Sequence, residues 1–142
     1  MIILDTDLVS IIQRQPSAIR ELLLNRIDRE MQFHPVVTSI ITYEEQVRGW
    51  LLLLSQARTL QAQIDAYRHL NQHIEDYRKL QVVDFNESAA VAFQRLKSLK
   101  IRIGTMDLKI AGITLAHQAS LWTRNLSDFR QVPGLSAIDP TV

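Results

Sequence analysis

The stretch Met1-Ile2-Ile3-Leu4-Asp5-Thr6-Asp7 decides how this chain is read, because an apolar run short enough to be one strand ends directly in two carboxylates. Ile2, Ile3 and Leu4 carry no polar interruption, the pattern of a strand covered on both faces. Ligands of open parallel α/β sheets bind beyond the carboxyl ends of the strands. Asp5 and Asp7 are therefore predicted at the edge where chemistry is done, and a site there needs more acids from later elements.

The pattern downstream is an alternation of helices and strands. Residues 8–12 read as a short helix with Thr6 or Asp7 as N-cap, and Ser17 caps a second helix whose apolar positions are Ile19, Leu22, Leu23, Ile27 and Met31. His34-Pro35 stops that helix, residues 36–39 form a β-branched strand, and 40–54 a helix. Residues 59–79 place Leu60, Ile64, Tyr67, Leu70, Ile74 and Tyr77 in steps of three and four, which predicts a long amphipathic helix with one apolar stripe. Residues 81–85 are a third strand, and Asn86 caps the following helix. Gly104-Thr105-Met106-Asp107 opens another helix with Thr105 as N-cap; its body, 108–116, is apolar nearly all round and so belongs deep in the domain. Residues 120–123 are a fourth strand, 125–130 a loop or short helix, Pro133-Gly134 a turn, and 136–138 an edge strand. The fold class that follows is α/β, a mostly parallel sheet of four or five strands with helices on both sides.

Composition narrows the rest. At 142 residues and 46% hydrophobic, the chain can fill one core, so a single domain over 1–142 is expected. It has no cysteine, which rules out disulfides and thiolate metal sites and suits a reducing compartment such as the cytoplasm. Asp5 interrupts the first apolar run and the run 50–54 is too short to cross a bilayer, so neither a signal peptide nor membrane association is expected. The net charge of +1 says little, but Arg95, Lys97, Lys100, Arg102 and Lys109 face a single acid, Asp107, over 95–109. That run is either a solvated face or a phosphate-contacting rim beside an acidic centre.

The acids themselves fall where the alternation puts one sheet edge. Asp5 and Asp7 follow the first strand, Glu44 and Glu45 begin the helix after the second, Asp107 opens the buried helix, and Asp128 follows the fourth strand. Each has an ordinary role open to it: Asp7 as a cap, Glu44 and Glu45 as solvent-facing acids, Asp107 as a charge complementing the helix dipole, Asp128 as a turn residue. Gathering them is costly, since two unit charges about 4 Å apart repel by roughly 4 kcal/mol at an effective dielectric near 20. A cluster needs a divalent cation or raised pKa values. Oxygen donors without cysteine suit Mg²⁺ or Mn²⁺. His34, His69, His73 and His117 lack a third ligand nearby and are expected at the surface.

Three segments together resemble the PIN domain family, specifically the VapC-type toxins of bacterial type II toxin–antitoxin pairs. They are Leu4-Asp5-Thr6-Asp7, then Val37-Thr38-Ser39-Ile40-Ile41-Thr42-Tyr43-Glu44-Glu45-Gln46-Val47-Arg48-Gly49, and the span from Ile103-Gly104-Thr105-Met106-Asp107 and Ile110-Ala111 to Thr123-Arg124-Asn125-Leu126-Ser127-Asp128-Phe129 and Val132-Pro133-Gly134-Leu135. With Thr42 and Gly49 bracketing the middle motif, the resemblance selects Glu45 over Glu44. It implies that Asp5, Glu45, Asp107 and Asp128 hold one or two Mg²⁺ ions for hydrolysis of an RNA phosphodiester. The fourth position is either Asn125 or Asp128, and the charge is assigned to Asp128 because Asn125 is neutral. Thr6 and Thr123 would orient the ligands, and Asp7 is an acidic variant of a position often held by asparagine. RNA contacts are expected from Arg102, Lys109, Arg124 and Arg130. The resemblance further implies a cognate antitoxin and a homodimer, with the stripe from Leu60 to Leu80 and Trp50 either a partner surface or internal packing. Two other classes compete: a catalytically silent PIN-fold module binding RNA or protein, and a haloacid dehalogenase-like phosphatase, whose nucleophile would be Asp5 and general acid Asp7.

Overall fold

A computed structural model describes residues 1–142. In chain order it contains β1 (Ile2–Leu4), α1 (Thr6–Gln13), α2 (Ala18–Glu30), β2 (Val36–Ser39), α3 (Ile40–Gln56), α4 (Leu60–Arg78), β3 (Val82–Val83), α5 (Glu87–Ser98), α6 (Thr105–Ala116), β4 (Ser120–Trp122), α7 (Leu126–Phe129) and β5 (Ser136–Ile138). The five strands form one sheet in the order β3-β2-β1-β4-β5, and every pairing is parallel. The mostly parallel α/β sheet expected from the alternation is thus wholly parallel, with Ser136–Ile138 as its fifth strand.

β1 is central, flanked by β2 and β4, and its three residues are all buried. Alternation of side chains across the pleat explains why all three must be apolar. Ile2 and Leu4 join Leu8, Val9, Ile11, Leu23, Ile27 and Trp122 in a core beneath α1 and α2. Ile3 faces the other way, into a larger core with Val37, Leu121, Phe129 and the inner faces of α5 and α6. Gly112 lets those helices approach closely: a Cβ there would sit 3.0 Å from the carbonyl oxygen of Ala89 and from the nitrogen of Phe93. As its composition requires, α6 buries Leu108, Ile110, Ala111, Gly112, Ile113 and Thr114.

Several local expectations are corrected. Asp5 caps α1, accepting from Thr6 N, whereas Thr6 and Asp7 are its first two residues. Gly104 and not Thr105 precedes α6, without a side-chain cap. β3 is shorter than expected, its register ending where β2 ends at Ser39. His73 is buried, at 3% exposure, against the rings of Tyr43 and Tyr77, where α4 packs on α3. The faces of α4 are also not those that the apolar periodicity suggests. Ala66 and His73 are its buried residues, while Leu60, Ile64, Tyr67 and Ile74 are exposed, as are Leu51, Leu52 and Leu53 toward the end of α3. Internal packing therefore leaves much of the side chain uncovered at these four positions.

Candidate active site

The chain crosses from one side of the sheet to the other between β1 and β4, and the two strands are followed directly by Asp5 and Thr123. Such a switch point opens a crevice at the carboxyl ends of the strands. Here it is spanned by a side-chain hydrogen bond, Thr123 Oγ1 donating to Asp5 Oδ2 at 2.7 Å. Asp5 Oδ1 accepts from Thr6 N at 2.8 Å. Both oxygens are thereby oriented, Oδ1 by a backbone N–H that can only donate and Oδ2 by a hydroxyl whose own lone pair is engaged by Asn125 N.

An open pocket of about 470 Å³ lies over this edge, lined by Asp5, Thr6, Asp7, Glu45, Asp107 and Asn125, together with Ser10, Ile11, Arg14 and Arg124. Glu45 is held by a relay of hydroxyls: Thr6 Oγ1 donates to Glu45 Oε1 at 2.9 Å and lies 3.0 Å from the hydroxyl of the fully buried Thr42. Glu44 instead pairs with Arg48 on the outside of α3. The choice that helical geometry leaves open is settled in position: Glu45 is in the pocket and Glu44 is not.

Asp7 has one oxygen bound by Arg124 N at 2.9 Å, while Oδ1 is buried without a partner. A cap role for Asp7 is therefore replaced by a link between α1 and the segment after β4. Asp128 does not line the pocket; it lies behind Asn125, whose Nδ2 donates to Asp128 Oδ2 at 3.0 Å. Arg124 reaches the pocket, but Arg102, Lys109 and Arg130 are not among its lining residues. Ser10 and Arg14 are, and they were not singled out from sequence. Thr6, Ser10 and Arg14 recur every four residues along and just past α1, a same-face spacing that could have found them.

The electrostatics are those of crowded, partly dehydrated acids. Burial pushes the Asp5 carboxyl up to about 7, opposed chiefly by the Thr123 hydrogen bond and reinforced by Asp7 and Asp107. Burial raises Asp107 to about 6, with Glu45, Asp128 and Asp7 adding repulsion. Asp7 is raised as well, first by burial and against the Arg124 N–H.

The donor set fits a hard divalent cation in kind: all-oxygen, acidic, held from behind by hydroxyls, with an orphaned carboxylate oxygen on Asp7. In the arrangement of side chains present, no three acids or histidines already stand at ligand spacing. Closing on an ion therefore requires side-chain rotation, which the open pocket allows.

No family model matches the sequence, and no curated protein does. Solved structures match over nearly the whole chain. VapBC-1 from nontypeable Haemophilus influenzae aligns with a TM-score of 0.74 at 24% identity, covering 100% of both chains. VapBC2 from Rickettsia felis, solved bound to a DNA fragment from its promoter, aligns with a TM-score of 0.73 at 21% identity over 97% of this chain and 98% of that one. Mycobacterium tuberculosis VapC20, a sarcin-ricin loop cleaving toxin, aligns with a TM-score of 0.50 at 14% identity over 89% and 93% of the two chains. The parallel sheet, its flanking helices and the acids at its carboxyl edge are thus carried on the PIN-like fold that this chain shares with VapBC toxin–antitoxin proteins.

Proposed function

We propose that this chain is a metal-dependent endoribonuclease, the toxin of a toxin–antitoxin pair. The observation that carries the proposal is the meeting of Asp5, Glu45 and Asp107, from three distant segments, in one pocket at the switch point of the sheet. The likeness in fold to a toxin named for cleaving the sarcin-ricin loop supports it.

Asp5, Glu45 and Asp107 would hold Mg²⁺ or Mn²⁺, with Asn125 or Asp128 in the fourth position. When bound, the ion supplies Lewis acidity and neutralises charge that develops on the scissile phosphate. The chain's own part is preorganisation. Thr123 and the Thr6 N–H fix both oxygens of Asp5, and the Thr42–Thr6 relay fixes Glu45. Arg14 and Arg124 are the cations on the pocket wall and would receive the phosphodiester. An antitoxin segment would lie in the groove of about 1020 Å³ between α1 and the α3–α4 hairpin, which shares Ser10, Ile11, Arg14 and Arg124 with the acidic pocket. A homodimer is part of the same proposal and is checked by light scattering of the purified chain.

The phosphatase alternative needs Asp5 free to attack a phosphate. At 5% exposure, with both oxygens accepting hydrogen bonds, Asp5 has no free oxygen aimed at a phosphate, which speaks against the nucleophile role. A catalytically silent module is favoured only by the absence of three acids at ligand spacing. One assay separates it from the nuclease: cleavage of total RNA in Mg²⁺ by the chain, by Asp5→Asn and by Asp107→Asn. The proposal expects cutting by the parent chain and none by either folded variant. Cutting by both variants would reject the site, and none by the parent chain would favour the silent module.

A further inference from the structure

On the face of the sheet away from α1 and α2, α5, α6 and the segment between them carry a run of cations that the acidic pocket does not use. Arg95, Lys97, Lys100, Arg102 and Lys109 make none of the salt bridges of the molecule, which are Glu44–Arg48, Asp65–Arg68 and Glu75–Arg78. Two of them are nevertheless held in place. Lys109 Nζ lies 5.9 Å from the ring centroids of both Phe85 and Phe93, and Lys97 Nζ lies 5.9 Å from Phe93. The two rings meet edge to face with centroids 5.9 Å apart, and the backbone of Phe93 is packed against Gly112. Sharing Phe93 puts the two ammonium groups at most 5.9 plus 5.9, or 11.8 Å, apart. An ammonium group at this distance over a ring face is attracted to it and keeps its charge, so both heads remain available to an anion.

The ridge approaches the pocket at its Lys109 end. Asp107 and Lys109 are two residues apart on α6, so they point to different sides of it. Asp107 faces Glu45, while Lys109 reaches across to α5. Phe85 follows β3, and because all strands are parallel it leaves the sheet at the same edge as Asp5.

We propose that this α5–α6 ridge is a phosphate track for single-stranded RNA, with Lys97 and Lys109 binding the backbone of the strand as it leaves the acidic pocket. This rests on the ribonuclease proposal for the substrate class and goes beyond it in assigning the surface. RNA is favoured over an acidic protein segment because Lys109 stands two residues from Asp107 of the pocket proposed to cleave RNA, so one strand can engage both. Contacts of this kind are to backbone, so the track adds affinity and direction without sequence preference.

The test is fluorescence anisotropy with a short labelled single-stranded RNA of mixed sequence, using Asp5→Asn as the uncleaving parent, over a series of salt concentrations. Adding Lys97→Ala and Lys109→Ala should weaken binding and flatten the slope of log K against log salt by about 0.7 for each lysine removed. Arg29→Ala on α2, beneath the opposite face, should leave both unchanged. An unaltered affinity and slope in the lysine variants overturns the proposal. So does an acidic polyglutamate peptide that binds the parent through these two lysines without displacing the RNA. Because the parent is already inactive, failure here leaves the cleavage assay standing, and failure of cleavage leaves the binding slope readable.

Discussion

Two regions of this molecule break the inside-out rule in opposite directions. At the carboxyl edge of the sheet, Asp5 is buried at 5% exposure with Asp7 and Asp107 half-buried beside it. On the α3–α4 hairpin, Leu60 is 77% exposed and Tyr67 59%, and Leu52 stands out at 58%. A buried charge is costly unless it is compensated, whereas an exposed apolar side chain forgoes only a favourable transfer. The pocket should therefore be a strained part of the bare chain and the hairpin an unremarkable one. Stability measurements can separate them.

The largest effect is expected at Asp5. Its folded pKa of about 7 lies above the ordinary 3.8, so the folded state holds the proton more tightly. The stabilisation this gives is fully present below pH 3.8 and is lost as pH rises through about 7. Without metal, Asp5→Asn should thus be more stable than the parent at pH 8, by as much as about 4 kcal/mol, with the gain shrinking toward pH 4. Urea titrations across that range check it. A loss of several kcal/mol at pH 8 would mean that Asp5 is a structural partner. Asp107, raised to about 6, should act in the same direction and more weakly because it is more exposed.

A smaller effect is expected at Thr123, whose hydroxyl is fully buried and serves both Asp5 Oδ2 and Asn125 N. Thr123→Val keeps the shape and removes both bonds, costing about 1–3 kcal/mol. The cost should grow above pH 7, where the Asp5 carboxylate most needs the donor. Equal costs at pH 5 and pH 8 would show that the bond does not discriminate between protonation states. The smallest effect belongs to the hairpin. Ile64, 46% exposed, should tolerate replacement by glutamine within about 0.5 kcal/mol, measured by the same titration. Ala66→Gln, two positions on and fully buried, is the internal contrast and should cost clearly more.

The same contrast shows what could be read from sequence. An unbroken Ile2-Ile3-Leu4 run specifies a two-sided strand, and a helix apolar all round, 108–116, specifies a buried one, because burial on every side leaves no choice of face. The acids at the strand ends followed from that alternation. Periodicity fails where a helix has two apolar edges. On α4 the stripe containing Leu60, Ile64 and Tyr67 is more apolar than the face with Ala66 and His73, yet the latter packs, since α3 offers a close-fitting neighbour to small and flat side chains. Contacts between distant segments were equally illegible. That Thr6 would serve Glu45, that Asp7 would bind the backbone of Arg124, and that Asp128 would lie behind Asn125 depend on separations of a few ångströms that no spacing along the chain encodes.

The most direct measurement is calorimetric titration of Mn²⁺ into the parent chain and into Asp5→Asn and Asp107→Asn, at pH 8 and again at pH 5. If the acids share a cation, the parent binds Mn²⁺ at pH 8 and binds it much more weakly at pH 5, where Asp5 and Asp107 are protonated, and each variant loses affinity at pH 8. Binding that is the same in all three proteins, or the same at both pH values, would show that the pocket at the switch point is not the metal centre.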